Sequence, residues 1–313
     1  MMTDLLARVL YAFAAVLMRL PWRWLQSAAD VVAARMLRRD TRGSKVARCN
    51  VAIAYPELLP GQREQVHRDI VRGAVRQAVE TLRLWTRPHA ENLRLIREHH
   101  GGHHLDAAIA AGRGVIIAAP HYGNWELLNQ WLAARTPLAI LYAPPDSPVM
   151  DAFLNRARMA SGGDAGRVIQ IRAERSAVRQ LFKHLEGGGV VGILPDQQPK
   201  QGEGEFGPFF GVPALTMPLL GRLAARTDAP VLLAYCERID AHAGDAGPGF
   251  SLHIEPAPPA VADRNPVVAV SALNSAIEHI ARRDPAQYQW TYKRFSLRPS
   301  GLGKDNPYWP ECY

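Results

Sequence analysis

The sequence predicts an α/β protein in which a mixed β-sheet is flanked by helices. Two observations carry that prediction. After Pro88, short apolar runs rich in β-branched residues alternate with amphipathic stretches of helical period. Before it, residues 25–85 read as helix, interrupted by a turn at 55-YPELLPG-61. Alternating strand and helix implies a sheet whose two faces are covered.

The elements follow in order. Leu59-Pro60-Gly61, with Arg63 and Glu64 behind it, marks the start of a long helix that runs to about Trp85. Strand-like runs occur at 114–118, 138–142, 168–171, 190–194, 231–235 and 251–254. Helical segments fall at 105–111, 124–134, 149–160, 175–186 and 215–227, the last entered through Pro213. Gly187-Gly188-Gly189 stops a helix before the next strand. Residues 241–249 read as a hairpin loop, and 266–283 as a helix followed by a compact aromatic tail.

Composition bounds the rest. The chain has 313 residues, 48% of them hydrophobic, which is ample for a core. Its three cysteines, Cys49, Cys236 and Cys312, lie far apart without metal-ligand spacing, so a disulfide framework is disfavoured. The net charge is +8 and all of the excess lies early. Residues 1–100 hold 17 Lys+Arg against 9 Asp+Glu, and the remaining 213 residues hold 20 of each. Arg35, Arg38, Arg39, Arg42, Lys45 and Arg48 form a dense basic run.

Such a run attracts nucleic acid, anionic lipid or an acidic protein, or is a solvated helix face. The apolar segment 4–21 just before it favours lipid. Its clean stretch, Val9–Met18, is about half of the ~20 residues a full span needs. Arg8 and Arg19 can snorkel from its ends as a short tilted span, or the helix can lie in the interface beside Trp22 and Trp24. A buried core helix is the third possibility. Nucleic acid is disfavoured because no aromatic residues interleave with the arginines. Three regions result: a membrane-anchoring helix at 1–24, a basic helical region at 25–90 and an α/β catalytic domain at 91–313. Positive charge after the anchor would hold the remainder in the cytoplasm.

The chemistry centres on 115-VIIAAPHYGNWELLNQW-131. Ligands of open α/β sheets collect beyond the carboxyl ends of strands. Here Pro120 ends a strand, Gly123 permits a sharp turn, and Asn124 can cap the helix that carries Glu126. The turn lets the Glu126 carboxylate reach the His121 imidazole. A histidine held on one nitrogen offers the other as a base toward a hydroxyl. That is a catalytic triad without its serine, so the substrate must bring the nucleophile. A histidine capping the helix, with Glu126 on the surface, has the same spacing. No G-x-S-x-G elbow and no H-E-x-x-H occurs, which disfavours a serine hydrolase and zinc chemistry. His99, His100, His103 and His104 read as a polar loop.

Two further stretches belong to the same sheet edge. In 193-ILPDQQPKQGEGEFGPFFGVPALT-216 a buried strand runs into Asp196 and Gln197. Asp196 either orients a donor phosphate group, binds an arginine or caps the next turn. Phe209 either lines an acyl groove or belongs to the core. In 153-FLNRARMASGG-163, Arg156 and Arg158 are candidates to pair with phosphate or with a developing oxyanion, or are simply exposed.

Taken together, these stretches resemble the bacterial lipid A biosynthesis acyltransferases, the lauroyl/myristoyl family. H-x-x-x-x-E after a strand, D-Q with the later F-F-G-x-P-A, the tail 285-PAQYQWTYKRF-295, 49-CNVAIAYPEL-58 and Glu80 in 78-AVETLRLW-85 carry the resemblance from about residue 5 to 298. It implies a fold like that of glycerol-3-phosphate acyltransferases with a membrane-associated N-terminal helix. It implies a fatty acyl thioester donor, usually on acyl carrier protein, and as acceptor a hydroxyl of a phosphorylated glucosamine lipid A precursor. No metal or bound cofactor is implied, and the location is the cytoplasmic face of the inner membrane. The family's base and supporting acid map to His121 and Glu126, its arginine to Arg158, and its D-Q pair to Asp196 and Gln197. Asn124 and Phe209 join them as substrate-binding candidates. The chain departs from the pattern at Ala143, Ala286 and Tyr292, where the family usually has Arg, Glu and His. Those departures leave another hydroxylated glycolipid or an aminolipid open as acceptor, with acyl-CoA as an alternative donor. A catalytically silent lipid-binding protein is the reading from another class.

Overall fold

The structure is a computed structural model. It describes residues 2–142, 145, 147–157, 168–172, 176–239, 247–299 and 306–313 in full, with the backbone alone for 158–160. The chain opens with four helices: α1 (Met2–Leu17), α2 (Trp22–Arg38), α3 (Arg42–Ala54) and α4 (Pro60–Thr86). The basic stretch expected as one helix is thus two, broken at Arg39–Thr41, where Asp40 adopts a positive φ of 45°. The order then runs α5 (His89–Leu93), β1 (Ile96–His100), α6 (Gly102–Ala110), β2 (Val115–Ala118), α7 (Trp125–Arg135), β3 (Leu138–Tyr142) and α8 (Pro148–Ala160). It continues with β4 (Val168–Arg172), α9 (Ala177–Glu186), β5 (Val190–Ile193), β6 (Glu205–Phe209), β7 (Val212–Thr216), α10 (Leu219–Thr227), β8 (Val231–Ile239), β9 (Gly249–Pro256) and α11 (Pro266–Arg283).

Seven strands form one sheet in the order β1-β9-β8-β2-β5-β3-β4. All neighbours are parallel except β8 and β9. The β8–β9 register, Ile239 opposite Gly249, is that of a hairpin whose connecting residues 240–246 lie outside the described ones. The central strand β2 is buried along its whole length, as a strand covered on both faces must be. Its side chains alternate between two cores. Ile116 and Ala118 join the cluster under α3, α9, α10 and α11, while Val115 and Ile117 join the cluster under α6 and α7.

Three expectations change. Residues 205–216 form the two-stranded antiparallel sheet β6–β7, and the helix expected from residue 215 starts at Leu219. Phe209 and Val212 flank a tight turn with Phe210 at a φ of 51° and Gly211 at 72°, and the β-prone residues on either side pair across it. The four clustered histidines are not a loop: His99 and His100 end β1, and His103 and His104 lie in the first turn of α6.

The N-terminal helices pack onto the α/β body. In α1, Ala7, Tyr11, Ala14 and then Met18 recur at helical spacing and turn inward. Ala7, Tyr11 and Ala14 meet Phe153, Ala157 and Trp85. The opposite face exposes Leu5, Leu6, Val9, Phe13 and Val16, and α2 adds Trp24, Val31 and Val32. Among the described residues no single helix is long and apolar enough to cross a membrane; α1 and α2 meet that test only as a pair bent by 113°. Residue 90 is not a break in packing, because Val46, Ala47, Val51 and Ala54 of α3 and Ile70 of α4 belong to the same core as β2 and β5.

Helix α4 is fixed to the sheet by a buried ion pair. Glu80, 1% exposed, accepts from Arg238 of β8 through both oxygens, at 2.5 and 2.9 Å. Gln287 exchanges two hydrogen bonds with the Arg238 backbone, which ties the tail to the same point. Gly73 lets α4 approach the tail closely, since a Cβ there would stand 2.1 Å from the Ala286 carbonyl oxygen. Replacing Glu80 with Ala strands the guanidinium and lowers unfolding stability by about 3–5 kcal/mol. Replacing Glu80 and Arg238 together with Leu recovers most of that loss. Denaturant unfolding of the three proteins measures both effects.

Candidate active site

The site is set by strand register. β2 and β5 are parallel neighbours, with Ala118 opposite Ile193. Three residues beyond each position stand His121 and Asp196. The Ala119 N–H continues the ladder to the Ile193 carbonyl, so the two chains leave the sheet side by side. Asp196 then takes two hydrogen bonds from one residue. The His121 backbone N–H donates to Oδ2 at 2.9 Å, and the imidazole Nδ1–H donates to Oδ1 at 2.7 Å.

This corrects the spacing-based expectation for His121 and Asp196. The carboxylate on Nδ1 belongs to Asp196, on the neighbouring strand, rather than to Glu126 five residues along. Both Asp196 oxygens accept from His121, which makes that residue its main partner. Glu126 lies buried in the first turn of α7, where a carboxylate suits the positive end of the helix. Sequence spacing sees only local pairs, and this pair spans 75 residues.

The loop between β2 and α7 is held from three sides. Gly123 has a φ of 59°, and a Cβ on it would lie 2.0 Å from the Cys236 carbonyl oxygen, so only glycine lets the loop press onto β8. The Asn124 N–H donates to that carbonyl at 2.8 Å, and the Asn124 Oδ1 caps α7 through the Leu127 N–H. The tail pairs with the loop from the other side: the Gly123 N–H donates to the Gln287 carbonyl and the Gln289 N–H to the His121 carbonyl, both at 3.0 Å. The Trp125 ring meets the imidazole edge to face, with centroids 4.9 Å apart.

Electrostatics favour an ionised Asp196. Burial alone pushes its carboxyl pKa up. The charge of the His121 ring, the two His121 N–H donors and the nearby Arg294 guanidinium outweigh that and hold it below the ordinary 3.8. Arg294 is itself buried and donates to the Leu215 carbonyl and the Thr216 Oγ1. Tyr288, also buried beside Asp196, has its phenol pKa raised by burial and by that carboxylate.

With Asp196 ionised, Nδ1 carries the ring proton and Nε2 is the acceptor. Nε2 takes a hydrogen bond from the Gln197 side-chain amide at 3.2 Å. The His121 side chain is 11% exposed, with Gln197 exposed above it.

The other candidates separate. Asn124 is fully buried and its Oδ1 serves as the α7 cap. Phe209 is 1% exposed among Phe210, Tyr288, Trp290 and Phe295, hence in the core and not in a groove. Arg158 lies in α8 with its side chain outside the described residues, as do Ala143 and Pro144. The Arg156 guanidinium sits 5.8 Å from the centre of the Tyr11 ring. Sequence reasoning missed Gln289, Tyr288 and Arg294. The signal was the polar-aromatic alternation of 285-PAQYQWTYKRF-295, which carries all three.

A buried carboxylate–imidazole pair whose Nε2 meets only an exchangeable amide donor, with no serine hydroxyl or cysteine thiol on it among the described residues, suits a general base, which takes a proton from a nucleophile that the substrate supplies. Comparison with known proteins places that chemistry. The profile of the bacterial lipid A biosynthesis acyltransferases matches residues 3–296. The lipid A biosynthesis palmitoleoyltransferase of Escherichia coli (strain K12) is 26% identical over 292 residues, covering 90% of both chains. The lipid A biosynthesis lauroyltransferase of the same organism is 24% identical over 268 residues, covering 85% of this chain and 83% of its own. A phosphatidylinositol mannoside acyltransferase of Mycobacterium tuberculosis (strain CDC 1551 / Oshkosh) is 30% identical over 161 residues, about half of each chain. The protein is an acyltransferase. It belongs to the bacterial lipid A biosynthesis acyltransferase family.

Two outcomes test the pair. Asp196→Asn leaves a neutral partner that no longer fixes the tautomer, so kcat falls by roughly 10³–10⁴-fold, read as acyl transfer rate. The same group links stability to pH. Its depressed pKa adds stability that is complete above 3.8 and is lost as pH falls through the lower, folded-state value. Acid unfolding followed by circular dichroism is therefore shallower in Asp196→Asn across that window.

Proposed function

We propose that the protein transfers a fatty acyl chain from a thioester on acyl carrier protein to a hydroxyl of a lipid A precursor, making an acyloxyacyl ester. The observation that carries this reading is the His121–Asp196 pair at the sheet edge, buried and complete except for a nucleophile. His121 Nε2 takes the proton of the acceptor hydroxyl. The oxygen attacks the thioester carbonyl and a C–O bond forms while the carbonyl electron pair moves to oxygen. The tetrahedral intermediate collapses, the C–S bond breaks, and the leaving thiolate takes the proton from Nε2. Asp196 holds the ring through both protonation states. Glu126 supports the same loop from the first turn of α7, and Arg158 is the cation assigned to the acceptor phosphate or the oxyanion.

A cleft of about 350 Å³ beside the site suits the acyl chain. Ala74, Leu82 and Trp85 of α4 line it with Trp125, Tyr288 and Gln289. Trp125 contacts the His121 ring and Gln289 contacts Gln197, so one side chain separates the cleft from the reacting atoms. The apolar face of α1 and α2 rests in the cytoplasmic leaflet of the inner membrane, and the adjacent arginines face anionic headgroups. The basic N-terminal third also steers the acidic carrier protein.

The half-length similarity to an enzyme named for a mannosylated phosphoinositide supports a second acceptor, since the catalytic segment can be shared while the acceptor differs. Mass spectrometry of products separates the two. Wild type and His121→Ala are incubated with acyl carrier protein thioesters and a panel holding a lipid A precursor and a phosphatidylinositol mannoside. A gain of one acyl chain on the lipid A precursor, absent from the mutant, is the expected result. Gain on the mannoside alone moves the acceptor, and gain in the mutant removes His121 as base.

Two substitutions test the surroundings. Ala74→Phe fills the cleft, so the longest donor accepted loses kcat/KM by at least about tenfold relative to shorter ones. Val9→Glu with Phe13→Glu weakens co-sedimentation with anionic vesicles by roughly tenfold or more, because two side chains now exposed at 57% and 67% lose their apolar burial in lipid.

A further inference from the structure

The Gln197 amide occupies the lone pair that the reaction needs. Its Nε2 lies 3.2 Å from His121 Nε2 and 3.2 Å from Gln289 Oε1. A primary amide has two N–H groups, and here one caps the base while the other is held by Gln289. The imidazole nitrogen has one in-plane lone pair, so an acceptor hydroxyl can reach it only by displacing that N–H. Displacement leaves an oriented donor within a short swing of the base, where the thioester carbonyl oxygen must come to lie when the carbonyl carbon stands about 3 Å from the attacking oxygen.

The backbone beneath this amide is fixed. Residues 195-PDQQP-199 carry a proline at each end. The Gln198 N–H donates to the Tyr292 Oη at 3.0 Å, and the Tyr292 hydroxyl donates back to the Gln198 carbonyl at 3.3 Å. The Gln198 Oε1 accepts from the Leu297 N–H at 3.0 Å, and its Nε2 donates to the Ser296 Oγ at 3.2 Å. The loop is pinned on both sides of its backbone while the Gln197 side chain stays exposed, so the amide swings on a rigid base.

We infer that Gln197 is a catalytic residue, a side-chain donor that caps His121 Nε2 in the resting enzyme and turns to the thioester oxyanion when the acceptor hydroxyl takes its place. Tyr292 is its positioning residue, holding the loop from the tail. This rests on the acyl-transfer reading above. The donor acts on the negative oxygen formed as the C–O bond closes and gives up that interaction when the C=O bond re-forms and the thiolate leaves.

Steady-state acyl transfer by the full chain in detergent tests it, with acyl carrier protein thioester and the acceptor on which wild type is active. Gln197→Ala and the near-isosteric Gln197→Met lower kcat by about 10²–10³-fold, with KM for both substrates within about twofold. Gln197→Asn, a shorter amide, recovers part of the loss. In Gln197→Glu the carboxylate accepts from a protonated Nε2, so activity falls and the acid limb of the residual kcat/KM moves to higher pH. Tyr292→Phe slows wild type and adds nothing in the Gln197→Ala background. Thermal unfolding of Gln197→Ala matches wild type, because the side chain is exposed. An unchanged or faster kcat in Gln197→Ala overturns the inference and leaves the amide as a cap alone. A raised KM with kcat unchanged makes it an ordinary substrate contact and overturns it too. A wild type that acylates no acceptor overturns the acyl-transfer reading and this one together, whereas wild-type turnover with an indifferent Gln197→Ala overturns only this one.

Discussion

The parallel pairing of β2 with β5 is the constraint on which the site depends. Side chains three residues beyond Ala118 and Ile193 can meet only while those two residues remain partners. A slip of one residue would turn every side chain of β2 to the other core and separate Asp196 from His121. The two distinct cores, one on each face of β2, forbid the slip, since Ile116 and Ile117 each fit only their own side. The hydrophobic effect thus fixes the register, and the register fixes the catalytic hydrogen bond.

The remaining architecture serves the loop that leaves β2. Gly123 and Asn124 lie against Cys236 of β8, and the tail from Pro285 to Tyr292 lies over the loop and the Asp196-Gln197-Gln198 turn. The tail is anchored to α4 through Gly73 and to the Glu80–Arg238 pair through Gln287. The helical N-terminal third therefore reaches the active site through the tail, by Gly73, by the Glu80–Arg238 pair and by Asn50 of α3, whose Nδ2 donates to the Trp290 and Tyr292 carbonyls. The same helices carry the exposed apolar face, so the surface proposed for lipid and the catalytic loop share one rigid support.

Much of this is legible in the sequence where the determinants are local. The buried strand 115–118, the turn at Gly123, the Asn124 cap and the helix Pro266–Arg283 each follow from residues adjacent in the chain. His121 and Asp196 both belong to the sheet edge on sequence grounds, because each ends an apolar strand. Their partnership is not legible, because strand order is not a local property. Nothing in 115–131 says that β5 rather than β3 lies beside β2. Phe209 shows the same limit: two adjacent phenylalanines fit a groove or a core equally, and only the packing of Trp290 and Phe295 decides. The β6–β7 hairpin reads as helix entry in sequence because Pro213 suits the first turn of a helix, whereas here it faces Pro208 in a two-stranded ladder.

The catalytic geometry turns on Asp196 holding the Nδ1 proton of His121 and leaving Nε2 as the base. Nitrogen-15 NMR of the histidine-labelled protein reads that tautomer directly, with His121→Ala supplying the assignment. The expected spectrum has a protonated Nδ1 and an unprotonated Nε2 in wild type, retained in Glu126→Gln and lost in Asp196→Asn. A protonated Nε2 in the resting enzyme, or a tautomer that changes with Glu126 and ignores Asp196, would contradict it.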